Sequence, residues 1–88
     1  MNVARGGVIN QPDLVHALSE NLLGAVALDV TTPEPLSSDD ALLKFKNVTV
    51  IPHLGAATLE AVTAMANIAI DNLLAGIKGE KLPYQVEL

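Results

Sequence analysis

The apolar positions of this chain fall into three short runs and one long one, each fenced by turn-forming residues. Val48-Thr49-Val50-Ile51 is β-branched throughout and lies between Asn47 and Pro52, which suits a short buried strand rather than a helix. Gly24-Ala25-Val26-Ala27-Leu28 is apolar on both faces, as a central parallel strand is. Met1-Asn2-Val3-Ala4 reads as the last part of another buried strand, with nothing before it that could start a domain. Arg5-Gly6-Gly7 then predicts a polar turn with two glycines able to take positive φ. Asn10 can cap a helix that tolerates Pro12 in its first turn, gains from Asp13 near its positive end, and runs through Leu14, Val15, Ala17 and Leu18 until Asn21 to Leu23 end it. After Leu28, the segment Thr31 to Ser38 is a loop stiffened by Pro33 and Pro35, and Asp39-Asp40 can start one helical turn through Ala41, Leu42 and Leu43. A long helix is expected from about Thr58 to Ile77, with Gly79 and Pro83 marking the exit into an extended tail over 79–88.

The order strand, helix, strand, loop, strand, helix predicts an α/β fold: a small parallel sheet with flanking helices and all strand C-termini on one edge. That edge is where ligands collect in open α/β sheets. Each of the three short apolar runs ends at it in an ionisable residue: Arg5, Asp29 and His53. One such coincidence carries little, but three describe a site assembled from separate strands.

Composition narrows the choices. Half of the 88 residues are hydrophobic, yet Phe45 and Tyr84 are the only aromatic ones, so the core is aliphatic. A net charge of −5 with five scattered Lys and Arg argues against a nucleic-acid partner or an anionic membrane surface. The absence of cysteine removes disulfides and thiolate metal sites and allows a cytoplasmic location. Thr63, Asn67, Asp71 and Asn72 interrupt the longest apolar region, which is therefore no transmembrane span, and the N-terminus lacks the pattern of a signal peptide.

An imidazole, a guanidinium and two carboxylates in one crevice suit proton-coupled work on a small anionic substrate. Arginine holds a carboxylate by two parallel hydrogen bonds and polarises an adjacent carbonyl. Histidine exchanges protons near neutral pH, and a carboxylate on its other nitrogen fixes the tautomer. Glu34, between two prolines, is a candidate for that carboxylate, with a solvated turn residue as the plain alternative. Asp29 directly follows a buried run and needs a partner. A lone histidine in an apolar setting is more often structural than catalytic, so His53 draws its interest from these neighbours; His16 falls mid-helix and reads as a surface residue.

The stretches Asn2-Val3-Ala4-Arg5-Gly6-Gly7, Leu28-Asp29-Val30, Pro33-Glu34-Pro35 and Pro52-His53-Leu54-Gly55-Ala56-Ala57-Thr58, in this order and spacing, resemble the D-2-hydroxyacid dehydrogenases over essentially all 88 residues. The loop from Thr31 to Leu36 and the helix end from Asn72 to Gly76 are most similar to the glyoxylate/hydroxypyruvate reductases of that family. The resemblance implies a Rossmann-like, incomplete dinucleotide-binding domain, with 1–88 its C-terminal part. It implies Arg5 as the arginine that holds the carboxylate and keto oxygen of a 2-oxo acid, His53 as the acid/base and Glu34 as the residue that tunes it. Asp29, Val3 and Gly55 match positions near the nicotinamide of NAD or NADP, with NADPH favoured.

Set against the family, the chain has no Gly-x-Gly-x-x-Gly stretch and no ribose-reading residue after it, so only half of a cofactor site is expected. The isolated 88 residues should therefore turn over little or nothing. In the long helix, Glu60, Thr63, Asn67 and Asp71 form one narrow polar stripe among Ala, Val, Ile, Leu and Met. A helix this apolar is expected to be buried on more than one side, by a second copy as in a homo-oligomer such as a dimer, by another domain, or by chain outside these residues. That stripe also supports an alternative: a short non-catalytic product that associates through this helix with itself or a full-length subunit. An unrelated small α/β binding domain would leave the spacing of Arg5, Asp29, Glu34 and His53 to chance.

Overall fold

The computed structural model describes residues 1–87. The chain divides into two compact units, Met1–Gly55 and Ala56–Leu88.

The first unit is built on two parallel strands, β1 (Val26–Leu28) and β2 (Val48–Val50), with Val26 opposite Val48 and Leu28 opposite Val50. The expected N-terminal strand is reduced to a parallel bridge between Asn2 and Leu28. Asn2 N–H donates to Ala27 O at 3.0 Å and Asp29 N–H to Asn2 O at 2.9 Å, while Val26 N–H and Leu28 O bond toward β2. Thus β1 is central, flanked on either side, and the N-terminal segment runs parallel to it as the pattern requires.

Helix α1 (Gln11–Ser19) starts where its cap predicts: the Asn10 side chain accepts from Asp13 N–H, with Pro12 and Asp13 in the first turn. It stops at Asn21, whose φ of 55° is left-handed, with Asn21 N–H donating to Leu18 O and Leu22 N–H to Ala17 O. Leu18, Val26, Leu28 and Leu42 form the buried core, with Leu14, Val15, Phe45, Val48 and Val50 around them. Val26, Leu28, Val48 and Val50 alternate onto one sheet face, which α1 and the 3₁₀ turn Ala41–Lys44 cover. Burying a leucine such as Leu42 contributes roughly 1.5–3 kcal/mol.

Three expectations are corrected here. β1 is shorter than Gly24–Leu28, because Gly24 and Ala25 lie in solvent. β2 is half-buried rather than buried, with Thr49 and Ile51 exposed, since only one of its faces meets the core. Gly6 and Gly7 do not take positive φ; Gly6–Val8 is a 3₁₀ turn, and the need for glycine at position 6 is spatial. A Cβ there would overlap the Thr31 carbonyl and the Thr32 hydroxyl, so the turn after Arg5 sits directly on the loop that carries Glu34.

The second unit is helix α2 (Leu59–Lys78) and its tail. Thr58 Oγ1 caps it by accepting from Ala61 N–H at 3.1 Å, and Gly79, at φ 70°, ends it with Glu80 N–H donating to Ala75 O. The tail turns back rather than extending away: Asn72 exchanges two hydrogen bonds with the backbone of Tyr84, at 3.1 and 3.0 Å. Ala75 is the only buried residue of α2, so the cover expected for this helix is not supplied within these residues. Leu59, Val62, Met65, Ile68, Ile70, Leu73, Leu74 and Ile77 are all exposed. No helix of the described residues is long and apolar enough to cross a membrane.

Candidate active site

His53 lies just past β2 in a left-handed conformation, φ 54°, which costs a non-glycine residue about 1–2 kcal/mol. Its surroundings compel that conformation. His53 N–H donates to Asp29 O at 2.9 Å, and the next two amides, Leu54 N–H and Gly55 N–H, donate to Asp29 Oδ1 and Oδ2 at 2.6 and 2.9 Å. Asp29 is only 4% exposed, so these bonds are what satisfies the carboxylate that ends β1. A Cβ on Gly55 would come within 2.8 Å of Asp29 Oδ2, which keeps that position small.

So held, the imidazole meets Glu34: His53 Nδ1 lies 3.1 Å from Glu34 Oε2. An ionised carboxylate can only accept, so Nδ1 carries the hydrogen and Nε2 is the nitrogen left to exchange a proton. Glu34 is oriented in turn by Thr31, whose N–H donates to Glu34 Oε1 at 2.9 Å and whose hydroxyl donates to Pro33 O at 2.8 Å. The Thr31 amide, then the hydrogen bond with His53, then the positive charges of His53 and Arg5 hold the Glu34 carboxyl below its ordinary range. The influence of Arg5 is the smallest of these, and among the described residues Arg5 makes no ion pair with Glu34. It is exposed at the head of the 3₁₀ turn, its Nη1 donating to Ala4 O at 2.6 Å.

Two clefts open at this edge. One of about 500 Å³ has apolar walls from Pro35, Leu36, Leu43 and Val50, with Glu34 and His53 beside them. A smaller one of about 80 Å³ is lined by Val3, Leu28, Asp29 and Ile51 among others. Val3 and Asp29, expected near a cofactor, therefore share one cleft, and Gly55 is joined to it by its bond to Asp29. Sequence reasoning missed Asn2 and Gln11. Gln11 Oε1 accepts from Thr32 N–H at 3.1 Å and its Nε2 donates to Asp40 Oδ2 at 3.2 Å, tying the Glu34 loop to the start of α1. A polar residue just inside a cap carries no signal of a partner more than twenty positions away.

Residues 1–55 match the family model of the D-isomer specific 2-hydroxyacid dehydrogenase NAD binding domain. The chain belongs to the D-2-hydroxyacid dehydrogenases. Over all 88 residues this dehydrogenase chain is 46% identical to the glyoxylate reductase/hydroxypyruvate reductase of Mus musculus, and it spans 27% of that protein. Its structure aligns at a TM-score of 0.88 and 34% identity with the NADPH-dependent glyoxylate/hydroxypyruvate reductase of Sinorhizobium meliloti in complex with NADP and malonate, covering 97% of this chain and 26% of that one. It aligns at 0.84 and 36% identity with a 2-hydroxyacid dehydrogenase of Ketogulonicigenium vulgare, covering 99% and 27%. The D-2-hydroxyacid dehydrogenase residues present here thus span about a quarter of the length of these relatives.

Proposed function

We propose that these residues are the catalytic C-terminal part of a longer NAD(P)-dependent reductase that turns a small 2-oxo acid, of the glyoxylate or hydroxypyruvate kind, into the 2-hydroxy acid. The observation that carries this reading is the His53–Glu34 pair at the C-terminal edge of the parallel strands. Arg5 binds the substrate carboxylate and polarises the keto oxygen. His53, protonated and oriented through Nδ1 by Glu34, gives the Nε2 proton to that oxygen. The chemistry supplied by bound NAD(P)H is hydride donation to the keto carbon. Val3 and Asp29 fit its nicotinamide end, since both line one cleft beside the strand ends. NADPH is the favoured form, in keeping with the cofactor named for the Sinorhizobium meliloti relative.

In the full-length reductase, replacing Arg5, Glu34 or His53 by Ala is expected to cut turnover of glyoxylate and hydroxypyruvate. Unchanged turnover in all three would overturn the assignment. The isolated chain, without a phosphate-binding glycine stretch, is expected to show no NAD(P)H oxidation with either substrate.

A second reading is favoured by the exposed apolar side chains of α2: a short product that associates through this helix with itself or with a full-length subunit. Sedimentation of the isolated chain tests it, and a monodisperse monomer with no affinity for the full-length subunit would refute it.

A further inference from the structure

Asn2 is 5% exposed, and every polar group it has is engaged. Its backbone belongs to the sheet, donating to Ala27 O and accepting from Asp29 N–H. Its side chain does something else: Oδ1 accepts from Ala4 N–H at 3.1 Å and Nδ2 donates to Arg5 O at 2.9 Å. One buried amide therefore pins the peptide before Ala4 and the peptide after Arg5. The Ala4–Arg5 peptide between them is framed at both ends, and its carbonyl is the one that receives the Arg5 guanidinium. On the far side, Gly6 sits against the Thr31 backbone with no room for a side chain. The Arg5 Cα is thus set between an amide anchored in the sheet and the loop that carries Glu34.

We propose that Asn2 is a positioning residue for Arg5, translating the fixed register of the sheet into the direction from which the guanidinium meets the substrate carboxylate. This rests on the reading of Arg5 as the substrate arginine. A long, solvated side chain loses aim as soon as its own peptide can rotate, and Arg5 has no buried partner of its own to restore it. The consequence is specific: loss of the Asn2 amide weakens the interaction with a 2-oxo carboxylate and leaves the rest of the site as it is.

The test is a double-substitution cycle in the full-length reductase, with Asn2→Ala and Arg5→Ala made singly and together. Asn2→Ala is expected to lower kcat/KM for glyoxylate about tenfold, mainly through KM. It should leave cofactor affinity and the turnover of a neutral aldehyde without a carboxylate within about twofold. In the Arg5→Ala background, the Asn2→Ala loss should shrink to under about twofold. The isosteric Asn2→Asp, which keeps the acceptor for Ala4 N–H and loses the donor to Arg5 O, carries the same cycle should the alanine variant not fold. A costly Arg5→Ala with a full, additive Asn2 loss, or an equal loss on the neutral aldehyde, overturns the proposal while leaving the functional reading intact. An Arg5→Ala variant with undiminished kcat/KM for glyoxylate overturns the functional reading, and this proposal with it.

Discussion

The two units of this chain solve opposite problems. Met1–Gly55 buries three polar side chains, Asn2, Asp29 and Thr31, and no buried side-chain polar atom among the described residues lacks a partner. Ala56–Leu88 buries almost nothing and leaves eight large apolar side chains of α2 in solvent. In the first unit, hydrogen bonds across distant segments fix conformations that the residues would not otherwise hold, His53 above all. In the second, caps at Thr58 and Gly79 and the intrinsic preference of Ala, Leu and Met make the helix, and burial within the chain adds little. Position in the first unit is specified atom by atom, whereas the second has a shape and an uncovered apolar surface.

Substitutions in each unit test this contrast. On the proposed catalytic reading, the largest effect is expected from His53→Gln in the full-length protein, which should lower kcat by about 10²–10⁴-fold. Asn67→Ala on the polar stripe of α2 should leave kcat within about twofold. Equal losses from the two would erase the distinction. Next comes Gly6→Ala, where a methyl has to displace the Thr31 backbone, at a cost of about 1–3 kcal/mol in urea unfolding.

Gly76→Ala should go the other way. The new methyl would meet only Leu82 Cδ2, at an ordinary 3.7 Å, and removing a glycine from a helix stabilises by about 0.5–1 kcal/mol. A destabilised Gly76→Ala would mean that α2 is fitted as closely as the Arg5 turn.

The smallest effect concerns acid. Glu34 titrates below its ordinary 4.5 in the folded chain, so its ionised form contributes stability above that value, and the contribution is lost as pH falls through the lowered one. Glu34→Gln should flatten the acid limb of a urea-midpoint series run from about pH 6 to about pH 3, only slightly because the side chain is 39% exposed. A steeper limb in the variant would contradict the sign.

Much of this was legible from local pattern. The Asn10 cap, the stop at Gly79, the parallel order and the ionisable residue closing each apolar run all depend on neighbours within a few positions. Glu34 facing His53 was within reach because two prolines left its loop few shapes. What lay outside reading was tertiary. Nothing near Asp29 in the chain announces that Leu54 and Gly55 will supply its hydrogen bonds, and nothing near Gly6 names the Thr31 carbonyl as the reason for glycine. The depth of β2 also escaped, because apolar residues state a preference for burial without saying what will provide it.

The Asp29 carboxylate has a consequence for amide exchange. Leu54 and Gly55 are exposed residues outside any helix or strand, where backbone hydrogens ordinarily trade with solvent in the first moments of an exchange experiment. Both are held by a carboxylate that is itself out of water, so their hydrogens should persist well beyond those of Ala56 and Ala57 beside them. Two slow amides in a solvent-facing turn would then report, with no substrate and no cofactor present, whether the backbone that aims the imidazole is intact.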